Sequence, residues 1–436
     1  MPQSTGIPWK AGALALCLAA AMAAHASPQA APCPKDVPAG TRCFSGWDAA
    51  GAGYWIALPQ DWHKVLVMHA HGGPELGPPR LERSAEDLTR WAVTVKAGYA
   101  WAGSTYRRGG YGVTMAAEDT ERLRKLFIDS FGQPRRTLLH GQSYGAAVAS
   151  RAIDLYGNRG YDGVLLTSGV LGGGERTYGF RLDLRVVYQY FCRNHPRPDE
   201  PQYPLWQGLP LDARLTRDEL TARVDECTGV RKPAAQRTPQ QATNLAAITK
   251  VTGIAERSLV PHLAWGTWHF QDVTQKRLDG RNPFDNTRAR YTGSTDDAAL
   301  NAGVLRYAAD PAAVQALNAD SLPSGKLPLP VLTFRASGDP TAFVELASEY
   351  GKIVNAAGSS ASLVQVFSDE SEHSFLSEPQ YPALFDALLA WVEKGEKPSP
   401  AGLAAACRTY EPRYGAGCRI RPDYVAAPLD SRLAPR

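Results

Sequence analysis

The chain lacks most of the marks of a metalloprotein, a nucleic-acid binder or a membrane protein. No Cys-x-x-Cys pair and no His-Glu-x-x-His segment occurs in its 436 residues, so the common zinc frameworks are missing and neither metal nor cofactor is expected. Its 47 basic and 43 acidic residues are dispersed to a formal charge of +4, with no basic block that would track a phosphate backbone, which argues against nucleic acid as a partner. No internal repeat or long low-complexity tract is present. No apolar run reaches the roughly 20 residues that a membrane-spanning helix needs. The longest, from Ala11 to Ala24, follows Lys10 and ends at Ala24-His25-Ala26, the layout of a cleavable export signal over residues 1–26 and not of a stable membrane anchor. Leu16 before Cys17 is too large for lipoprotein processing.

Cysteine is sparse. Of seven, Cys17 leaves with the signal, and the remaining six are an even number in a chain bound for an oxidising compartment, secreted or periplasmic. They fall into sequence-local pairs, which predicts Cys33 with Cys43, Cys192 with Cys227, and Cys407 with Cys418.

What is abundant is ordinary globular material, 44% hydrophobic and 21% charged residues, enough for a sizeable core. The segments YWIALP (from Tyr54), KVLVMHAH (from Lys64) and YAWAGSTY (from Tyr99) read as strands, with a helical stretch from near Ser84 and another over 115–131. RRTLLHG then hands over at Ser143 to a helix of small residues, and YDGVLLTSGV is a further buried strand. Apolar strands alternating with helices predict an α/β fold with a mostly parallel central sheet covered on both faces. The rhythm breaks over 171–326, a stretch with scattered Pro and Trp and helical patches at 217–225 and 239–251, which reads as a largely helical inserted cap. It resumes with LPVLTFRASGDP, a helix over 342–355, the strand ASLVQVF and a last helix over 382–394. The core is thus expected at 27–170 and 327–398, followed by a disulfide-pinned tail at 399–436.

Gly141-Gln142-Ser143-Tyr144-Gly145 matches G-x-S-x-G at a strand-to-helix junction, where small flanking residues let strand and helix approach and the serine sits at the positive end of the helix. A merely structural glycine turn is the bland alternative. A serine hydroxyl needs a base, and the base needs an acid to hold its tautomer. In α/β-hydrolases the chain order is serine, acid, histidine, which points to His373, in the loop DESEHSF after the strand LVQVF, ahead of His262 and His269. Asp339, in the turn Ser337-Gly338-Asp339-Pro340 after VLTFRA, is the expected acid. Asp369, Glu370 and Glu372 lie on the histidine's own loop and are second choices. Oxyanion donors are expected from the Tyr144 N–H and from Gly72 or Gly73 in His71-Gly72-Gly73-Pro74. His69 and His71, two apart on one strand face, are alternatively metal ligands, but no carboxylate or cysteine accompanies them.

These motifs resemble the α/β-hydrolase superfamily over most of 41–394, apart from the inserted cap. The runs YWIALPQDWHKVLVMHAHGGP, GYAWAGSTYR and PRRTLLHGQSYG are similar to secreted bacterial serine hydrolases of the esterase kind. H-G-G-P also resembles the proline iminopeptidases, from whose pattern this chain departs at Glu75. The resemblance implies cleavage of a small or oligomeric carboxylic ester through an acyl-enzyme, with a serine peptidase, aminopeptidase or amidase on the same residues as the alternative. An exopeptidase would need fixed charge near the serine, for which Glu219, Asp225 and Glu226 are available. Aromatic residues of the cap, Tyr203, Trp206, Trp265, Trp268 and Phe270, are candidates to line an apolar pocket, and Arg107 or Arg108 to meet a substrate carboxylate. Each has a bland reading as cap core or solvated loop.

Overall fold

The structure, a computed structural model, describes residue 1 and residues 27–436; the expected export signal, with Cys17, lies outside the described residues. Nine strands form one sheet: β1 (Gln29–Ala31), β2 (Arg42–Trp47), β3 (Gly53–Leu58), β4 (Val65–Ala70), β5 (Ala100–Ser104), β6 (Arg136–Gln142), β7 (Gly163–Thr167), β8 (Val331–Ala336) and β9 (Leu363–Ser368). Their spatial order is β1-β2-β3-β5-β4-β6-β7-β8-β9. From β5 to β9 every neighbour is parallel, whereas β1, β2 and β3 form an antiparallel edge that joins β5 through β3.

The parallel strands are apolar throughout because both faces are covered. Along β4, Val65 and Val67 join Trp91, Trp101 and Phe385 on one face, while Leu66, Met68 and Ala70 join Phe127 and Val148 on the other. Each large aliphatic or aromatic side chain buried this way contributes about 1.5–3 kcal/mol. The two amino-terminal strands were not anticipated. Only Cys43 of β2 is buried, so its stretch Arg-Cys-Phe-Ser-Gly-Trp carries no period-two signal, and pairing with β3 is what makes it a strand. The helix expected from Ala342 starts later, at Leu346, because the Asp339 carboxylate accepts from the N–H groups of Thr341 and Ala342 and holds them in a turn.

Between β7 and β8 the chain is helical and contains no strand. Its longer helices are Phe180–Cys192, Arg217–Thr228 and Pro239–Thr252, the last two begun by capping boxes from Thr216 with Glu219 and Thr238 with Gln241. A shorter helix, Leu259–Ala264, runs on into π-helical turns at Trp265–His269 and Asp272–Arg277. Leu182, Leu263 and Phe284 of this segment share one continuous apolar cluster with a face of the sheet.

Disulfides link Cys33 to Cys43, Cys192 to Cys227, and Cys407 to Cys418. Beyond the last, the tail pairs Ile420 with Ser368 at the end of β9 and then reaches the helical segment, where the Arg436 guanidinium donates to Asp183 at 2.5 Å. Among the described residues no helix is long and apolar enough to cross a membrane.

Candidate active site

The carboxyl ends of β4, β6, β8 and β9 deliver four loops to one rim of the sheet. Ser143 is the single residue between β6 and the helix Tyr144–Tyr156, and the sharp reversal puts it at φ 55°, ψ −117°, in the left-handed half of backbone space where a serine is strained. Its own N–H donates across to the Thr167 carbonyl of β7 at 2.9 Å, which fixes the turn. The flanking glycines are sterically required. A Cβ on Gly145 would overlap the Ala70 carbonyl of β4, and one on Gly141 would overlap the Gly145 carbonyl.

His373, past β9, bridges the other two groups. Its Nε2 lies 2.9 Å from Ser143 Oγ, and its Nδ1 lies 2.8 Å and 3.1 Å from the two oxygens of Asp339. An ionised carboxylate can only accept, so Nδ1 carries the proton and Nε2 is left to accept from the serine hydroxyl. The Asp339 side chain is fully buried while that of His373 is 18% exposed. Of the second-choice acids, Glu370 is occupied by the Ser377 N–H at 2.9 Å and by Gln380 at 2.9 Å, and Asp369 and Glu372 face Arg421 and Arg257. None of the three is bonded to His373.

Tyr144 opens the helix after Ser143, so its N–H has no intrahelical acceptor. Gly73 stands at φ 70°, and a side chain on Gly72 would collide with the Gln142 amide. Gln142 itself, the variable residue inside the motif, was missed in the sequence. Its buried amide donates to Ser374 Oγ at 2.7 Å and thereby ties the histidine loop to the serine turn, a long-range contact with no local signal.

Four further histidines, His71, His140, His262 and His269, are held neutral by desolvation. His69 Nδ1 lies 3.1 Å from His140 Nδ1, and His140 meets Thr167 at 2.9 Å. Burial lowers each of the four to about 3. Among the described residues no cluster of His, Cys, Asp and Glu is arranged to hold a metal ion.

The remaining sequence candidates divide. The Arg107 guanidinium pairs with Asp119 at 2.9 Å and Glu118 at 2.6 Å on the neighbouring helix. Arg108 is turned to the Tyr111 carbonyl. Trp268 carries Arg217 on its face at 4.9 Å, and Trp206, Tyr203 and Phe270 pack within the apolar cluster. Trp265 differs, for it stacks on His269 at 4.8 Å, and His269 sits beside the carbonyl of Pro74, the residue after Gly73. The acids wanted by an exopeptidase are spoken for: Glu219 caps its helix, Glu226 pairs with Arg197 at 2.5 Å, and Asp225 accepts from the Arg231 N–H.

A mostly parallel sheet in this strand order, with a strained serine turn after β6, decides the fold. The chain has the α/β-hydrolase fold. No protein-family model and no curated protein matches the chain. Among solved structures, similar chains include feruloyl esterase B from Aspergillus oryzae, at 14% identity over 86% of each chain with a TM-score of 0.40. Others are an esterase from Aspergillus oryzae, at 15% over 82% of this chain and 81% of that one with a TM-score of 0.41, and an esterase from Exiguobacterium antarcticum, at 13% over 79% and 97% with a TM-score of 0.38. Likeness at this level says nothing of what this chain acts on.

Proposed function

We propose that this chain is an exported serine hydrolase that cleaves a carboxylic ester through an acyl-enzyme. The observation that carries the reading is the engagement of both ring nitrogens of His373, one with Ser143 Oγ at 2.9 Å and the other with Asp339 at 2.8 Å. In this reading Ser143 Oγ attacks the ester carbonyl carbon as His373 Nε2 takes its proton, and Asp339 stabilises the resulting imidazolium. The developing oxyanion is received by the Tyr144 N–H and by an N–H of Gly72 or Gly73. Collapse expels the alcohol, which takes the proton from His373. A water, deprotonated by the same imidazole, then attacks the acyl carbon, and the acid leaves as Ser143 regains its proton.

The helical segment over 171–326 serves as the cap, and Trp265 as one of its pocket walls. The engagement of Glu219, Glu226 and Asp225 within that segment weighs against their anchoring the free amine of an aminopeptidase substrate. Three disulfides support a working place in the periplasm or outside the cell.

A fluorophosphonate probe should label Ser143, and Ser143→Ala should remove both labelling and the hydrolysis of short 4-nitrophenyl esters. Turnover of aminoacyl anilides without turnover of the esters would reverse the assignment to a peptidase.

A further inference from the structure

Arg181, the second residue of the helix Phe180–Cys192, is 4% exposed and has no counter-ion. Its guanidinium carbon lies 4.4 Å from the ring centre of Phe180, 4.5 Å from that of Trp265 and 5.5 Å from that of Tyr178. These rings attract the cation with their faces but accept no hydrogen bond from its edge. Nε and Nη1 are unpartnered. Two other arginines are buried as deeply, and although the Nε of each is also unpartnered, both donate from their terminal nitrogens: Arg185 to the carbonyls of Gly208 and Gly266 at 2.6 and 2.9 Å, and Arg335 to those of Phe343 and Gly169 at 2.9 and 2.5 Å. Arg181 is the exception. Desolvation lowers it to about 9, so it is still a cation at neutral pH.

The aromatic cage around Arg181 is linked to the candidate catalytic loops through three intervening side chains, His262, His269 and Tyr111. Phe180 packs on His262 at 5.3 Å, and His262 Nε2 donates to the carbonyl of Pro340, the residue after Asp339, at 2.9 Å. Trp265 stacks on His269, which stands beside the Pro74 carbonyl. Tyr178 meets Tyr111 at 5.8 Å, and Tyr111 meets Tyr144, the residue after Ser143, at 5.6 Å. Acid loop, glycine loop and serine turn are therefore each one side chain removed from the same cage.

We propose that Arg181 recognises a free carboxylate on the substrate, so that the scissile bond belongs to a molecule carrying a second, ionised acid group. The N–H edge of the guanidinium takes the carboxylate in the two-point manner that suits a planar fork. Phe180, Trp265 and Tyr178 enclose the apolar spacer between that carboxylate and the carbonyl on Ser143. A buried cation without a partner is costly to a fold, and an arriving anion relieves that cost, so binding and orientation are coupled. The inference rests on the hydrolase reading above and adds the substrate class.

The test compares kcat/KM within matched pairs. One pair is 4-nitrophenyl hydrogen glutarate and its methyl ester, which differ in charge on the acyl side. The second is 4-acetoxybenzoate and 4-acetoxybenzamide, which differ on the leaving-group side. The third is an acyl dipeptide with a free C-terminus and its C-terminal amide, which places the carboxylate on a peptide. The native protein should prefer the acid in at least one pair, and Arg181→Leu should lower that acid-to-neutral ratio on the order of 10²-fold. Arg181→Lys, which keeps the charge but not the fork, should lower it less and decides the matter if the leucine variant does not fold. An unchanged ratio in all three pairs, in a variant that melts like the native protein, overturns the inference. Preference for the dipeptide acid alone upholds Arg181 but overturns ester cleavage. Ser143-dependent turnover of neutral esters with no acid preference overturns the Arg181 inference and leaves the hydrolase standing.

Discussion

At the scale of single residues, Ser143 sets its stability against its proposed task. Its φ of 55° is a conformation that glycine adopts without penalty, and such strain in other residues costs on the order of 1–3 kcal/mol. Ser143→Gly should therefore raise stability by about 1 kcal/mol in urea titration while turnover is lost. A variant less stable than the native protein would show that the turn is not strained. Asp339 is argued from the neighbouring bond. Replacing it with asparagine leaves a group that can donate to Nδ1 and so favours the wrong tautomer, with a loss in kcat on the order of 10⁴. A nearly silent Asp339→Asn would instead return attention to Asp369 or Glu370. Ser143 and Asp339 could be singled out in the sequence because the proposed reaction demands particular atoms at the ends of particular strands. Arg181 was not, since an arginine near the start of a helix carries no sign that its partner is missing.

The elements hold these residues by close approach more than by hydrogen bonds. The helix after Ser143 crosses β4 so tightly that Gly145 lies against the Ala70 carbonyl, which is backbone and cannot swing away. Gly145→Ala should therefore cost about 2–3 kcal/mol by overpacking and also slow turnover, because relief can come only by moving the helix that begins beside Ser143. Normal stability and activity in that variant would mean that the junction is looser than its geometry. Strands β4, β6, β7 and β8 could be read from continuous apolar runs, whereas β1 and β2 owe their existence to an edge already formed by β3. Gln142 makes the same point for the site, since its bond to Ser374 joins segments far apart in the chain.

For the whole molecule, the largest legible consequence is a pH dependence. His69, His71, His140, His195 and His262 are buried and His269 half-buried, all with lowered affinity for protons, four of the six at about 3 against an ordinary 6.5. The unfolded chain therefore binds more protons near pH 6, so the stability these groups contribute is complete above about 6.5 and is lost as pH falls toward 3. Burial raises Asp87 and Asp183 to about 6, which acts in the opposite direction below that pH. Between pH 7.5 and 6 each imidazole costs roughly 0.8 kcal/mol and each of the two carboxylates offsets roughly half of that, so the imidazoles prevail. The urea midpoint should fall across this interval. A flat or rising midpoint would show that the imidazoles are solvated or paired in the folded state.

By itself the sequence determined the alternation of buried strands and helices and the pairing of cysteines nearest along the chain, because each can be read from the order of residues. Only the tertiary structure decided which carboxylate meets His373, that Arg107 pairs with a helix beside it, and that Arg181 is enclosed among aromatic rings without an anion. Those outcomes depend on desolvation and on how folded elements meet in space, and neither is written in local order.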